Sequence, residues 1–334
     1  MMGLTKCLLP LALILLGSAW FSSAVPVAPP YHMLKGRAQG TTYHIRYAAE
    51  RPVLDSAEVA SLFAEVDRSL SLYLESSLIC RFNRSQKGVR ADTHMLRVVR
   101  KSIEVYKQSG GAFDITVKPL LDLYKAHPHP TDGAVGEVLR CLGSHRIGIE
   151  GDSVIKDCHA LQLDANGIAQ GYTVDLLAAR LESKGVGDYL VELGGEIRSR
   201  GVNAQGETWV LGLEAPTEDG LGTVLAKRIR PCGMSVTTSG NWHLKASGNG
   251  RRGAHIMDPR QGRPSDNRMV SATVVAGDAI TADALDNVCM VLGPVEGIRF
   301  IEGLADVEAW LLYRDGKGRL MDTCSRGFRR FEAE

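Results

Sequence analysis

The segment from Leu163 to Leu181, L-D-A-N-G-I-A-Q-G-Y-T-V-D-L-L-A-A-R-L, changes its period half-way along. Apolar Leu161 and Leu163 close a strand-like run, and the chain then breaks at Asn166-Gly167. Val174, Leu177, Ala178 and Leu181 follow at intervals of three and four, one face of a helix. A strand fed into a helix through Gly167 and Gly171 leaves backbone amides uncovered at the helix start. Such amides attract phosphate or another anion. The pattern fits equally well a strand-to-helix connection that holds no ligand.

The N-terminus is set apart from the fold. Lys6 precedes an apolar run, Leu8 to Leu16, and small residues continue to Ala24 with Pro26 just beyond. Ser22 and Ala24 stand where a leader peptidase reads, so residues 1–24 read as a signal peptide of the Sec type and the mature chain as exported. The apolar run is short for a membrane span; an uncleaved inner-membrane anchor is the alternative. Residues 25–34 carry three prolines and read as a linker to a domain over 35–334. The whole chain has 39 basic and 38 acidic residues, and Lys6 is the leader's one charge, so the remainder is formally neutral. A neutral chain lacks the basic excess that generic nucleic-acid binding needs. No C-x-x-C is present, which argues against zinc and thioredoxin-type sites. In an oxidising compartment Cys141 and Cys158 can pair across a short two-strand segment; buried free thiols are the other reading.

Tyr43, Ile45 and Tyr47 alternate as in a half-buried strand running from Lys35. Ser56 is placed to cap a helix reaching Leu74, and a second helix spans Thr93 to Gln108, stopping at Gly110-Gly111. The loop from Gly110 sets Phe113 beside Asp114; it can offer an aromatic face and a carboxylate to a planar ligand, or its Asp can cap local amides. Residues 125–135, with His127 and His129, read as a solvated loop. Tyr189 to Ile197 is a strand broken at Gly194-Gly195, and Trp209–Leu213 and Val224–Ile229 are further strands. Thr281 is placed to cap a helix on which Asp283 and Asn287, four apart, share a face. Two oxygen donors beside a phosphate loop suit Mg²⁺; the plain alternative is a polar helix face. Helices and strands come in mixed order with meander-like strands late, so the fold class is α+β.

Eight motif blocks in order resemble the ApbE family, the FAD:protein FMN transferases. They are G-T-T-Y-H-I at Gly40, S-L-S-L-Y with S-S-L-I-C-R-F-N, G-G-A-F-D-I-T-V-K-P-L, N-G-I-A-Q-G-Y-T-V-D, L-G-G-E-I, S-V-T-T-S-G, H-I-M-D-P-R-Q-G and A-D-A-L-D-N. The resemblance covers nearly the whole mature chain. It implies a periplasmic location for the exported chain, one ApbE-like domain with mixed, largely antiparallel sheets flanked by helices, and FAD as substrate with Mg²⁺. The reaction it implies breaks the FAD pyrophosphate and joins FMN by a phosphoester to a Ser or Thr of an exported or membrane-bound redox protein, an acceptor that would bring the enzyme transiently near a membrane. A hydrolase releasing FMN and AMP, or a periplasmic FAD-binding protein without turnover, are the competing functions. Carried over by motif, Gln39, Tyr73, Ala112, Phe113, Asp114, Gly171, His255, Ile256, Met257 and Asp258 line the FAD site. The Gly167 carbonyl, Asp283 and Asn287 hold the metal. His255 is the candidate base and Asp283 the other catalytic residue. Two positions depart from the family pattern: Gln39 stands where Met is usual, and Asn287 where Thr is usual.

Overall fold

The computed structural model describes residues 29–217, 222–231, 233–240 and 256–333. The chain enters through an antiparallel hairpin, β1 (Tyr31–Ala38) and β2 (Thr41–Ala48). What read as a single strand from Lys35 is therefore two, and Tyr31 to Leu34 belong to the sheet although they fall in the segment read as linker. Helix α1 (Ser56–Leu70) is capped by Asp55, whose side chain accepts the Glu58 amide; Ser56 is its first residue and not its cap. Asp in the extended conformation before the helix does this job as well as Ser. The aperiodic stretch after it forms a short helix, α2 (Leu78–Arg84), capped by Ser77. Strand β3 (Gly88–Arg90) follows, then α3 (Thr93–Gln108), the helix read from the sequence with the same bounds.

Two short helices come next, α4 (Lys118–Ala126) and α5 (Asp132–Leu139). The second begins inside the stretch read as loop, because Thr131 caps it by accepting the Ala134 amide. Strands β4 (Ile147–Glu150) and β5 (Ser153–Lys156) join β3 in a three-stranded sheet. Cys141 and Cys158 flank that segment and form a disulfide, their Cα atoms 5.7 Å apart. Cys80, Cys289 and Cys324 are free thiols.

Helix α6 (Ala169–Ser183) leads to the hairpin β6 (Tyr189–Leu193) and β7 (Glu196–Arg200), which turns on Gly194-Gly195. Strands β8 (Leu211–Pro216) and β9 (Thr223–Ile229) pair with each other. After β10 (Ser235–Gly240) and the small pair β11 (Met257–Asp258) and β12 (Arg263–Pro264) come β13 (Met269–Ala276), α7 (Ala279–Glu302), β14 (Glu308–Arg314) and β15 (Leu320–Cys324). Asp278, not Thr281, caps α7; its carboxylate accepts the Thr281 amide. The helix is interrupted at Gly293-Pro294, where Gly293 takes a φ of 82°.

The main sheet has eight strands in the order β1-β2-β6-β7-β10-β13-β14-β15. Every neighbouring pair in it is antiparallel. The α+β reading holds. Strand β13 is buried from end to end. Its Ala272, Val274 and Ala276 join the core beneath α6 and α7, and Val275 and Val270 join a second core with Trp310, Phe328 and Phe331. On β14 the same alternation sends Ala309 and Leu311 to the first core and Trp310 and Leu312 to the second. Helices thus cover one face of the sheet, and the β8–β9 hairpin and the C-terminal turn cover the other.

The disulfide closes a segment of 17 residues. Cross-linking a segment of that length restricts the unfolded chain by about 3 kcal/mol. The double variant Cys141→Ser/Cys158→Ser and the reduced wild type are both expected to melt several degrees lower in thermal denaturation; equal melting temperatures would contradict the cross-link.

Candidate active site

The sequence break at Asn166-Gly167 is held from three sides. Asn83 on α2 brackets Leu163, accepting its amide at 2.7 Å and donating to its carbonyl at 2.9 Å. The Asp164 amide donates to the Ile115 carbonyl at 2.7 Å, and the Asp164 carboxylate accepts the Asn166 amide at 2.8 Å. Helix α6 then starts with no side-chain cap.

The protein itself supplies the acidic group at this helix start. The Gly171 amide donates to Asp283 Oδ2 at 2.8 Å. Helices α6 and α7 cross so closely here that a Cβ on Gly171 would lie 2.3 Å from the Ala279 carbonyl oxygen and 2.7 Å from Asp283 Cβ. Only glycine lets them meet. Across the same crossing Asn287 Nδ2 lies 3.4 Å from the Gly167 carbonyl oxygen and donates to the Asp283 carbonyl at 2.9 Å. The three residues read as metal ligands, Gly167, Asp283 and Asn287, are brought together. As placed, the Asn287 amide turns its nitrogen toward Gly167, the Asp283 carbonyl and Asp286 Oδ1; a half-turn that presents its oxygen on the Gly167 side gives up those bonds.

Gln39 sits in the β1–β2 turn in the left-handed region, φ 48°, followed by Gly40 at 79°. It reaches the first turns of α6. Its Nε2 donates to Thr173 Oγ1 and to Asp67 Oδ1, each at 3.3 Å, and its carbonyl accepts from Gln170 at 3.3 Å. Its Oε1 is buried without a partner.

A second cluster forms around the Gly110–Val117 loop. Ala112, Phe113 and Asp114 are all buried. Asp114 Oδ1 accepts from the Thr116 amide at 2.9 Å, the Thr116 hydroxyl at 2.8 Å and the Ser144 hydroxyl at 2.6 Å. The capping role weighed for Asp114 is what Oδ1 performs. Burial nonetheless pushes the Asp114 carboxyl above its usual range against these hydrogen bonds. Arg260 packs beside Gly111, its Cγ 3.6 Å from where a Cβ there would lie, so the Ile256–Gly262 segment adjoins this loop. Met257 is buried with Leu120, Val135 and Leu142, and Ile256 packs on the main core. Asp258 is buried too; burial alone would raise its pKa, but two hydrogen bonds from the Arg260 guanidinium, 2.8 and 2.9 Å, and one from its amide hold it below the usual carboxylate range. Tyr73, in the turn after α1, stands in solvent at 90% exposure. His255 lies outside the described residues.

The family model of the ApbE family matches residues 39–311. The chain belongs to the ApbE family. A FAD:protein FMN transferase of Vibrio cholerae serotype O1 is 35% identical over 281 residues, 80% of this chain and 84% of that protein. One from Escherichia coli K12 is 31% identical over 82% of each chain. Among solved structures, the flavin transferase ApbE from Vibrio cholerae superposes with a TM-score of 0.80 at 33% identity, covering 91% of this chain and all of that one. The apo flavinyl transferase ApbE of Pseudomonas stutzeri gives 0.79 at 29% identity, with 91% and 97% covered.

Three residues beside the ApbE crossing escaped the sequence reading as site residues. Glu196, in L-G-G-E-I, and Asp286, in A-D-A-L-D-N, are buried close enough to Asp283 for their charges to interact. Glu196 Oε2 and Asp286 Oδ2 have no hydrogen-bond partner, while Asp286 Oδ1 accepts from Ser239 at 2.9 Å and Asn287 at 3.0 Å. Asp175, the third, is bonded to the start of α7. The available signal was an acidic residue inside an otherwise apolar pattern, at Glu196 straight after two glycines and at Asp286 three residues past Asp283. Burial and the neighbouring carboxylates hold Glu196 and Asp286 well above their usual pKa values; burial pushes Asp283 up to about 7 against the pull of the Gly171 amide.

Two outcomes follow from this packing. Replacing an interior helix glycine with alanine normally gains about 0.5–1 kcal/mol. At Gly171 the sign reverses, because the added carbon forces α6 from α7: Gly171→Ala is expected to cost about 1–3 kcal/mol in urea denaturation. Folded Glu196 keeps its proton to higher pH than its usual 4.5. The native state therefore binds more protons than the unfolded chain above that pH, and loses stability as pH rises through the window. Glu196→Gln removes this loss, so its melting temperature should gain on wild type as pH rises above about 4.5; a difference that stays constant with pH would refute it.

Proposed function

We propose that the chain is a FAD:protein FMN transferase of the periplasm, and that it moves FMN from FAD to a Ser or Thr hydroxyl of an exported redox protein with the help of Mg²⁺. The observation that carries this is the α6–α7 crossing, where the Gly167 carbonyl, the Asp283 carboxylate and the Asn287 amide converge. Membership of the ApbE family, and relatives named FAD:protein FMN transferase, supply the reaction class.

The donors fit the cation. All are oxygens or can present one, which suits a hard ion such as Mg²⁺. Asp283, Glu196 and Asp286 gather three buried carboxyl groups whose ionisation burial opposes, and two of their oxygens lack a partner. Buried carboxylates left uncompensated are costly, and a divalent cation offsets that cost. When bound, Mg²⁺ stabilises the charge that grows on the phosphate oxygens as AMP departs.

The acceptor hydroxyl oxygen attacks the phosphorus of the FMN half. The bond from that phosphorus to the bridging oxygen breaks, AMP leaves with the oxygen, and the hydroxyl proton passes to a base. His255 is assigned that base by its place in H-I-M-D-P-R-Q-G. Gly167 and Gly171 leave the backbone bare at the crossing. The buried Ala112–Asp114 loop, fixed through Ser144 and Thr116, offers a rigid wall to the flavin. Residues 1–24 direct export, and the Cys141–Cys158 disulfide suits an oxidising compartment.

Mass spectrometry of an exported acceptor domain, incubated with mature protein, FAD and Mg²⁺, tests the reading. A gain of one FMN is expected. Asp283→Ala should slow it by more than about a hundredfold, the upper end of what losing even an outer-shell metal partner costs. Free FMN and AMP with unmodified acceptor would instead make the protein a FAD hydrolase, and intact FAD would make it a carrier.

A further inference from the structure

Asp175 is half-buried at a junction that the proposed chemistry does not use. Its carboxylate accepts the first two amides of α7, Ala279 N at 3.0 Å on Oδ1 and Ile280 N at 2.9 Å on Oδ2. Oδ1 also accepts from Arg198 Nη1 on β7 at 2.7 Å. The next amide of α7, that of Thr281, goes to the helix's own cap, Asp278, at 3.0 Å. The opening amides of α7 are thus satisfied in part by a residue of another helix, which fixes where α7 begins relative to α6 and the sheet.

The spacing turns this anchor into an alignment device. Gly171 and Asp175 are four apart on α6 and face the same way. Ala279 and Asp283 are four apart on α7 and do likewise. Two rungs therefore join the helices one turn apart. In one, the Gly171 amide donates to Asp283 Oδ2; in the other, Asp175 accepts from Ala279 and Ile280. With Oδ2 held by Gly171, the second rung sets how the rest of the Asp283 carboxylate and the Asn287 amide meet the Gly167 carbonyl. Ala279 and Ile280 are fully buried, at 0% and 1% exposure, so water cannot replace the Asp175 carboxylate on their amides.

We propose that Asp175 is a positioning residue for the cation site, holding α7 so that Asp283 and Asn287 stay in register with Gly167. The proposal rests on the metal reading given above. Asp175→Asn keeps the size and one acceptor, but turns an NH₂ against a helix amide or against Arg198.

Mn²⁺, a spectroscopic stand-in for Mg²⁺, is titrated into full-length mature protein and free Mn²⁺ is read by electron paramagnetic resonance. Asp175→Asn should weaken Mn²⁺ binding by about 10–100-fold, the range for lost outer-shell support. Asp175→Glu, which restores the charge, should recover part of that loss. A lower melting temperature with unchanged Mn²⁺ affinity would reduce Asp175 to a fold-stabilising contact and overturn the proposal. If Asp175→Asn does not fold, Arg198→Gln decides, since it frees the carboxylate from the sheet and leaves both helix amides bonded. Weaker Mn²⁺ binding in that variant supports the proposal and unchanged binding overturns it. Wild type that binds no Mn²⁺ would sink the metal reading and this proposal together, whereas equal binding by wild type and Asp175→Asn would sink the role of Asp175 alone.

Discussion

The absence of a side chain at Gly171 is the constraint on which the site depends. Two helices packed through ordinary side chains keep their axes 8–10 Å apart. At Gly171 the backbone of α6 comes so near α7 that even a methyl group would sit 2.3 Å from a carbonyl oxygen. That approach lets a main-chain amide reach Asp283 Oδ2, and it brings the Gly167 carbonyl to within 3.4 Å of Asn287. The sheet provides the platform. Strand β13, buried on both faces, lies under α7, and the β6–β7 hairpin turns on two glycines to deliver Glu196 to the same place.

Much of the fold was legible because it follows from periodicity and capping chemistry. The helical spacing of α3 is plain in the sequence, although Leu96, Ile103 and Tyr106, which with Val99 read as its inward side, are half-buried and the buried face is Met95, Val98, Val99 and Val105. The helix stops where Gly110 makes stopping cheap. The turn of β6 into β7 at Gly194-Gly195 was visible for the same reason. Misplaced features were those in which a neighbouring residue competes for one role. Asp55 and Asp278 cap helices for which Ser56 and Thr281 were equally good choices by composition. The turn at Gln39 was hidden because glutamine is uncommon in the left-handed region, so nothing but Gly40 marked it.

The site was legible only in pieces. Asp283 and Asn287 could be put on one helix face from their spacing alone, but no local signal says that Gly167, 120 residues away, faces them. The motif resemblance joined these residues, and the crossing explains why they belong together. Glu196 and Asp286 stayed out of the reading because an isolated acidic residue usually faces water. Only their burial, with an oxygen on each left unpartnered, shows that they do not.

Burial pushes two carboxylates of this molecule above their usual range, and they differ in how many donors oppose that push. Asp114 gathers three donors onto one oxygen, from Thr116 and Ser144, and so ties the Gly110–Val117 loop in place. Asp283 has one donor, the Gly171 amide, and faces further carboxylates in place of cations. A hydrogen bond to a charged group returns about 1.5–3 kcal/mol. Three such bonds offset part of the cost of drying a carboxylate, and one offsets less for a group that also faces neighbouring carboxylates. The arrangement at the crossing is therefore poor as a means of holding the fold together. On the cation reading proposed above, the stability given up between α6 and α7 is what a bound positive charge would return as affinity.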